Sequence, residues 1–226
     1  DDEMPIIAYM GIPDWHTTDE DFRVLSECGF NVSLYPYRSL DLLVKACRIA
    51  DKYGVKVLAP CPEMTKNPVK AANTLKREKG FFGYMMKDEP TIDQLEELEQ
   101  EIQRLKRIDN SHCFYINLLP HGYENWTLID KTPKYRKYVK LAATTSCQQL
   151  SFDNYSITKD GLRPTWYHNL EIIRDESLAS GKPFWAFVLS VPHHVYPDPT
   201  LATMRLQAYS NLAYGAQAIQ FFTYWT

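Results

Sequence analysis

Three features of the 226-residue sequence predict a (β/α)8 barrel that ends at its eighth strand without a last helix. Apolar runs of strand length alternate with stretches of helical periodicity along the whole chain, at the roughly 25–35-residue spacing of successive βα units. Glycines join them in a repeated order. Gly29, Gly54, Gly80, Gly181 and Gly215 each follow a helix-like stretch and open an apolar run, as in GFNVSLYPY, GVKVLAP and GKPFWAFVLS. A helix commonly ends on a left-handed residue, a conformation glycine enters without steric cost. Finally, the apolar runs are hydrophobic on both faces, as strands of a helix-covered parallel sheet must be. A doubly wound open sheet is the rival arrangement. It usually carries a glycine-rich phosphate loop after strand 1, and AYMGIPDW contains no GxGxxG.

Taken in order, strands are expected near 5–11, 31–36, 56–60, 81–87, 113–119, 148–154, 183–190 and 218–225. Helices are expected near 18–28, 39–53, 68–78, 92–108, 133–144, 164–180 and 199–214, the fourth with Leu95, Leu98, Ile102 and Leu105 at helical spacing. Asn67-Pro68 and Asp198-Pro199 each place a capping side chain before a proline at the first helical position, and Thr91 with Gln94 forms a capping box. The chain stops at Tyr224-Trp225-Thr226, where strand 8 finishes. Residues 1–226 are therefore expected to be a single barrel domain, part of a longer protein, with another segment or chain covering strand 8.

Composition excludes several classes. Hydrophobic residues at 45% and charged residues at 23% are ordinary for a globular domain, which argues against disorder, collagen and coiled coil. A net charge of -3 without blocks of like charge gives no case for nucleic acid or an anionic membrane surface. The apolar runs fall far short of the ~20 residues that span a bilayer. Five scattered cysteines without a CxxC pair indicate neither a zinc knuckle nor a disulfide framework.

In a barrel the active site lies at the C-terminal ends of the strands, so the polar residues found there are the candidates. Acids recur: Asp14 after strand 1, Glu63 after strand 3, Asp88 and Glu89 after strand 4, Asp153 after strand 6. Trp15, Tyr37, Asn117, Tyr155, His193, Tyr224 and Trp225 fall at strand ends or beside these acids. Carboxylates together with flat rings suit glycoside cleavage, in which one carboxyl protonates the leaving oxygen and another acts as nucleophile, base or charge stabiliser. Glu89, between a strand and Pro90, is the foremost candidate for the acid/base, and Asp153 for the second carboxylate. The rest are assigned to substrate contact, with Asp14 and Glu63 assigned to loop structure or substrate contact and not to catalysis. His193-His194 has no HxH or HExxH spacing, so no metal is assigned, and no cofactor is expected.

These residues resemble the catalytic barrel of the family 42 glycoside hydrolases, the β-galactosidase-type group. FFGYMMKDEP is similar to the strand-4 segment that supplies the acid/base, with Asp88 standing where that family has Asn. QLSFDNYS resembles the strand-6 segment, and RLQAYSNLAYGAQAIQFFTYW the last helix and strand. The resemblance implies an enzyme that cleaves O-glycosyl bonds, an oligosaccharide or polysaccharide partner, and an extracytoplasmic location in a bacterium. It departs at strand 7, where the family carries its nucleophilic Glu and KPFWAFVLS has no acid. The alternative expectation is a non-catalytic carbohydrate-binding barrel that has lost the nucleophile.

Overall fold

The structure, a computed structural model, describes residues 3–122, 132–194 and 196–225. Eight parallel strands form one sheet: β1 (Ile6–Tyr9), β2 (Val32–Leu34), β3 (Lys56–Ala59), β4 (Phe81–Asp88), β5 (Cys113–Asn117), β6 (Leu150–Phe152), β7 (Phe184–Leu189) and β8 (Ala218–Phe222). Their hydrogen-bonded order is β5-β4-β3-β2-β1-β8-β7-β6. The two ends meet where Leu118 bridges Phe152 and its N–H donates to the Ser151 carbonyl at 2.7 Å. The sheet is thus a nearly closed (β/α)8 barrel, as the alternation of patterns predicts.

Among the described residues the outer layer is α1 (Asp19–Glu27), α2 (Leu40–Asp51), α3 (Pro68–Leu75), α4 (Ile92–Lys106), α5 (Thr132–Thr144), α6 (Thr165–Ser180) and α7 (Leu201–Ala213). Local chemistry starts and stops these helices. The Thr91–Gln94 capping box is present at α4, and the Asn67 side chain accepts the Lys70 N–H at α3. Helix α7 starts later than Asp198-Pro199 suggests, because Thr200 and Thr203 form the capping box and fix the first turn there. Gly181 ends α6 in the left-handed conformation, at φ 67°. Three short elements went unanticipated: one-turn helices at Asp14–His16 and Glu63–Lys66, and a hairpin of Ile157–Thr158 with Gly161–Leu162 after β6.

Two hydrophobic layers result. The outer, larger one lies between sheet and helices and includes Ala8, Phe114, Ile116, Phe184, Val188 and Ile219 from the strands. The inner one fills the barrel with Ile7, Val32, Leu34, Leu58, Tyr115, Trp185 and Ala218. Alternating strand residues therefore serve opposite layers, as the two-residue period of a strand requires. Strand β4 departs from this period. Its register shifts against β3 near Phe81–Gly83 and against β5 between Met85 and Lys87. Phe82 and Met85 pack with the inner layer while Phe81, Tyr84 and Met86 pack with the outer.

Gly80 corrects one reading of the glycine pattern: it is absent from the glycines of positive φ. A Cβ there would lie 2.0 Å from the Cys47 carbonyl oxygen, so close approach to α2 is what requires glycine. Gly83 in β4 is similarly placed, since a Cβ would meet the Cys113 carbonyl oxygen at 2.2 Å. Both obstacles are backbone and cannot rotate aside. Gly83→Ala is therefore expected to lower stability by roughly 1–3 kcal/mol, read as a lower urea midpoint with an unchanged slope.

Candidate active site

Six strand ends deliver side chains to one cavity of about 490 Å³ at the C-terminal mouth. Tyr9 closes β1, Asp88 closes β4, Asn117 closes β5 and Phe222 closes β8; Asp153 follows β6 directly, and Phe187 comes from β7. Tyr9, Asn117, Asp153, Phe187 and Phe222 continue the alternation of the inner-layer residues beneath them, whereas Asp88 reaches the mouth through the register shift of β4. Loop residues complete the wall: Glu89, Tyr155, Arg163, His193, His194 and Tyr196.

A hydrogen-bonded chain holds the floor. The Asn117 side-chain amide donates to Asp88 Oδ1 at 3.1 Å and to Asp153 Oδ1 at 2.8 Å. The Tyr9 hydroxyl donates to the other Asp88 oxygen at 2.9 Å. Beneath them, Ser151 Oγ lies 3.0 Å from Asn117 Oδ1 and 3.1 Å from the Tyr115 hydroxyl. Tyr115 donates to Gln220 Oε1 at 2.8 Å, and Gln220 Nε2 donates to Ser151 Oγ at 2.8 Å. Tyr115, Ser151 and Gln220 are fully buried inside the barrel. Every polar atom there needs such a partner, and together they leave Asn117 one orientation.

Two of the carboxyl groups are biased toward keeping a proton. Burial, followed by the charges of Glu89 and Asp88, pushes Asp153 up to about 8. Burial, with Asp88 second, also raises Glu89 above the ordinary carboxylate range. Tyr155 is raised by burial and then by Asp153, and Tyr9 by burial and then by Asp88, so both hydroxyls stay protonated. His193 is lowered, first by burial and then by His194, which favours the neutral ring. The backbone at the mouth is unusual as well. Met10, Glu89 and His194 have φ of 47°, 47° and 45°, a left-handed conformation uncommon outside glycine; the first two directly follow strand ends and His194 lies in the loop after β7. Such outliers persist where the surrounding structure holds them, as the Glu89 N–H is held by the Asn117 carbonyl at 2.8 Å.

Of the residues singled out from sequence, Asp88, Glu89, Asn117, Asp153, Tyr155 and His193 come together here. The other four do not line the cavity. Trp15 is 60% exposed and stands edge-on to Tyr35. Tyr37 is buried among the outer layer and gives its hydroxyl to the Ile12 carbonyl. Tyr224 packs edge-on to Phe30 outside the barrel, and Trp225 sits against the His16 ring. Trp15 lies in the one-turn helix after β1 and the other three in segments beyond or between strands, where being near a strand end does not aim a side chain inward. Asp14 and Glu63 hold loops, through Arg38 and the Leu40 N–H respectively. Tyr9 was missed because β1 ends there, two residues before the expected end, and Arg163 because it follows the unanticipated hairpin. Among the described residues no cluster of three or more His, Cys, Asp or Glu could hold a metal ion, and no helix is long and apolar enough to cross a membrane.

No family model and no curated protein matches the chain. Solved structures do share its fold. QR15, an aldolase, is 14% identical at a TM-score of 0.60, over 97% of this chain and 90% of that one. An HpcH/HpaI aldolase/citrate lyase family protein from Burkholderia cenocepacia J2315 is 9% identical at 0.60, over 97% and 88%. Tryptophan synthase from M. tuberculosis is 12% identical at 0.60, over 97% and 84%. At such identities the likeness shows the fold alone, a (β/α)8 barrel. These comparisons correct the family 42 resemblance, together with the glycoside hydrolase and the sugar-binding barrel it implied. No family model supports it, the named neighbours are aldolase, lyase and synthase types, and strand β7 presents Phe187 where the nucleophile would be needed. The expected oligosaccharide or polysaccharide partner, which rested on that resemblance, is corrected with it.

The raised value of Asp153 has a measurable consequence. A carboxyl raised in the folded state keeps its proton where the unfolded chain, with a value of about 4, has released it. Its contribution to stability is therefore lost as pH rises from about 4 to about 8 and is level above that. Asp153→Asn keeps an acceptor for Asn117 and removes the titration. Its stability relative to wild type is expected to rise across that window, by at least ~1 kcal/mol at pH 8. Urea denaturation of both proteins at a series of pH values reads the difference; parallel curves would refute the assignment.

Proposed function

We propose that the chain is an acid–base enzyme of the lyase or aldolase kind, making or breaking a bond next to a carbonyl group of a small molecule through an enolate. The observation that carries this reading is Asp153, a carboxyl that keeps its proton up to about 8 while sharing a cavity with two others. A neutral carboxylic acid is a strong hydrogen-bond donor to an oxygen gaining charge, and the protonated Tyr155 hydroxyl supplies a second donor on the same wall. Glu89, with its raised value, is a better base near neutrality than an ordinary carboxylate. The aldolase and lyase neighbours support the same class.

In cleavage of a β-hydroxy carbonyl compound the steps balance within these groups. Glu89 takes the hydroxyl proton and the carbon–carbon bond breaks. The bonding electron pair becomes the enolate, whose oxygen accepts from Asp153 and Tyr155. Glu89 then returns its proton to the enolate carbon. Phe187 and Phe222 narrow the cavity and limit water around the enolate.

Hydrogen exchange at the carbon next to the carbonyl reports the enolate without requiring the full reaction. Incubating the protein in deuterated water with a set of 2-oxo and hydroxy-carbonyl compounds, followed by NMR, should reveal a compound that exchanges. Glu89→Gln should slow that exchange by ~10²–10⁴, and Asp153→Asn by ~10²–10³, with unchanged circular dichroism. Failure of every compound to exchange, or wild-type exchange in Glu89→Gln, would remove this reading.

A further inference from the structure

Arg163 is the arginine among the residues that line the mouth cavity, and its partners are few. Its Nη2 donates to the Tyr196 hydroxyl at 2.8 Å, and its guanidinium carbon lies 5.2 Å from the centre of the Tyr196 ring. Among the described residues it takes part in no ion pair, although Asp88, Glu89 and Asp153 share the cavity. By contrast Arg23, Arg38, Arg48, Arg136 and Arg174 each pair with a carboxylate. A guanidinium has five N–H donors in a planar fork, so among the described residues most of those of Arg163, a lining residue of the cavity, have no protein acceptor.

Its support is rigid. Arg163 follows the Gly161–Leu162 strand of the hairpin, and its backbone N–H donates to the Ser156 carbonyl at 2.7 Å. Tyr196 in turn lies parallel to His193 at 6.1 Å and edge-on to Tyr155 at 5.6 Å. The cavity is therefore polarised, with a positive group on the wall formed by the hairpin and acids on the floor.

We propose that Arg163 is the anchor for an anionic oxygen group, a carboxylate or a phosphate, on the small molecule that occupies this cavity. A fork of N–H donors presents two parallel hydrogen bonds to either group, which also orients the rest of the molecule. The anionic end meets Arg163, and the uncharged, reacting end points to Asp153 and Glu89. A second anionic group would have to enter among the three carboxyl groups, so the ligand class is a small molecule with one anionic end and a neutral polar end. This assignment rests on the cavity being the substrate site of the proposed reaction, and it is tested by binding alone.

Calorimetric titrations of the whole protein with pyruvate, with glycerol 3-phosphate and with their uncharged counterparts pyruvamide and glycerol provide the test. Wild type is expected to bind at least one of the two anions more tightly than its neutral counterpart; which anion binds separates carboxylate from phosphate. Arg163→Gln should weaken that anion by about 10- to 100-fold and leave the neutral compound unchanged, and Arg163→Lys should fall between. Binding of neither anion, or equal binding to wild type and a folded Arg163→Gln, would overturn the proposal. Arg163-dependent anion binding without hydrogen exchange would instead retain the anchor and remove only the enolate reaction.

Discussion

The Asn117 side chain has two amide protons, and the structure gives one to Asp88 and one to Asp153. Everything at the mouth depends on that division. Reversing the amide would point its oxygen at two carboxyl groups and its protons at Ser151, so the buried chain of Ser151, Tyr115 and Gln220 decides which way it faces. Ser151 has one hydroxyl proton for two neighbours, and the fully buried Gln220 amide satisfies its oxygen from the other side. The carboxyl groups are thus spaced by hydrogen bonds anchored in the barrel interior and do not depend on the loops above.

That anchoring explains how like charges can share so small a space. Asp88 is held on both oxygens, by Asn117 and Tyr9, while Asp153 is held by Asn117. Burial opposes charge on Asp153, and the nearby Glu89 opposes it further. Asp153 and Glu89 are in this way both biased toward keeping a proton, which acid–base chemistry near neutral pH can use. Arg163 supplies positive charge in the same cavity and, among the described residues, pairs with none of them.

The barrel itself constrains chemistry little. The same layers of strand and helix carry aldolases, lyases and synthases at identities of 9–14% to this chain. What distinguishes one such protein from another is the set of side chains at the strand ends, and here strand β7 contributes an aromatic ring instead of an acid. A resemblance in strand-4 and strand-6 segments was therefore compatible with the fold without carrying the reaction.

The fold was legible in the sequence because its signals are local. Helical spacing in Ile92–Lys106, the Thr91–Gln94 box and the Gly181 stop act within a few residues of each other, so the helices lie close to where the pattern places them. Asp88, Glu89, Asn117 and Asp153 were legible for a related reason, since each sits at a strand end whose position the apolar runs reveal. Other features were decided by contacts between distant residues. The register shifts of β4 depend on its pairing with β3 and β5, and they set which of its residues face the interior. Tyr37, Tyr224 and Trp225 turn away from the mouth because Ile12, Phe30 and His16 offer partners elsewhere. Arg163 enters the cavity through a hairpin of two-residue strands, too short to leave a periodic signal, and its partner Tyr196 lies 33 residues away. Local patterning determined the barrel and the acids at its mouth; long-range pairing, which alone sets side-chain direction and electrostatic environment, decided which of them act together.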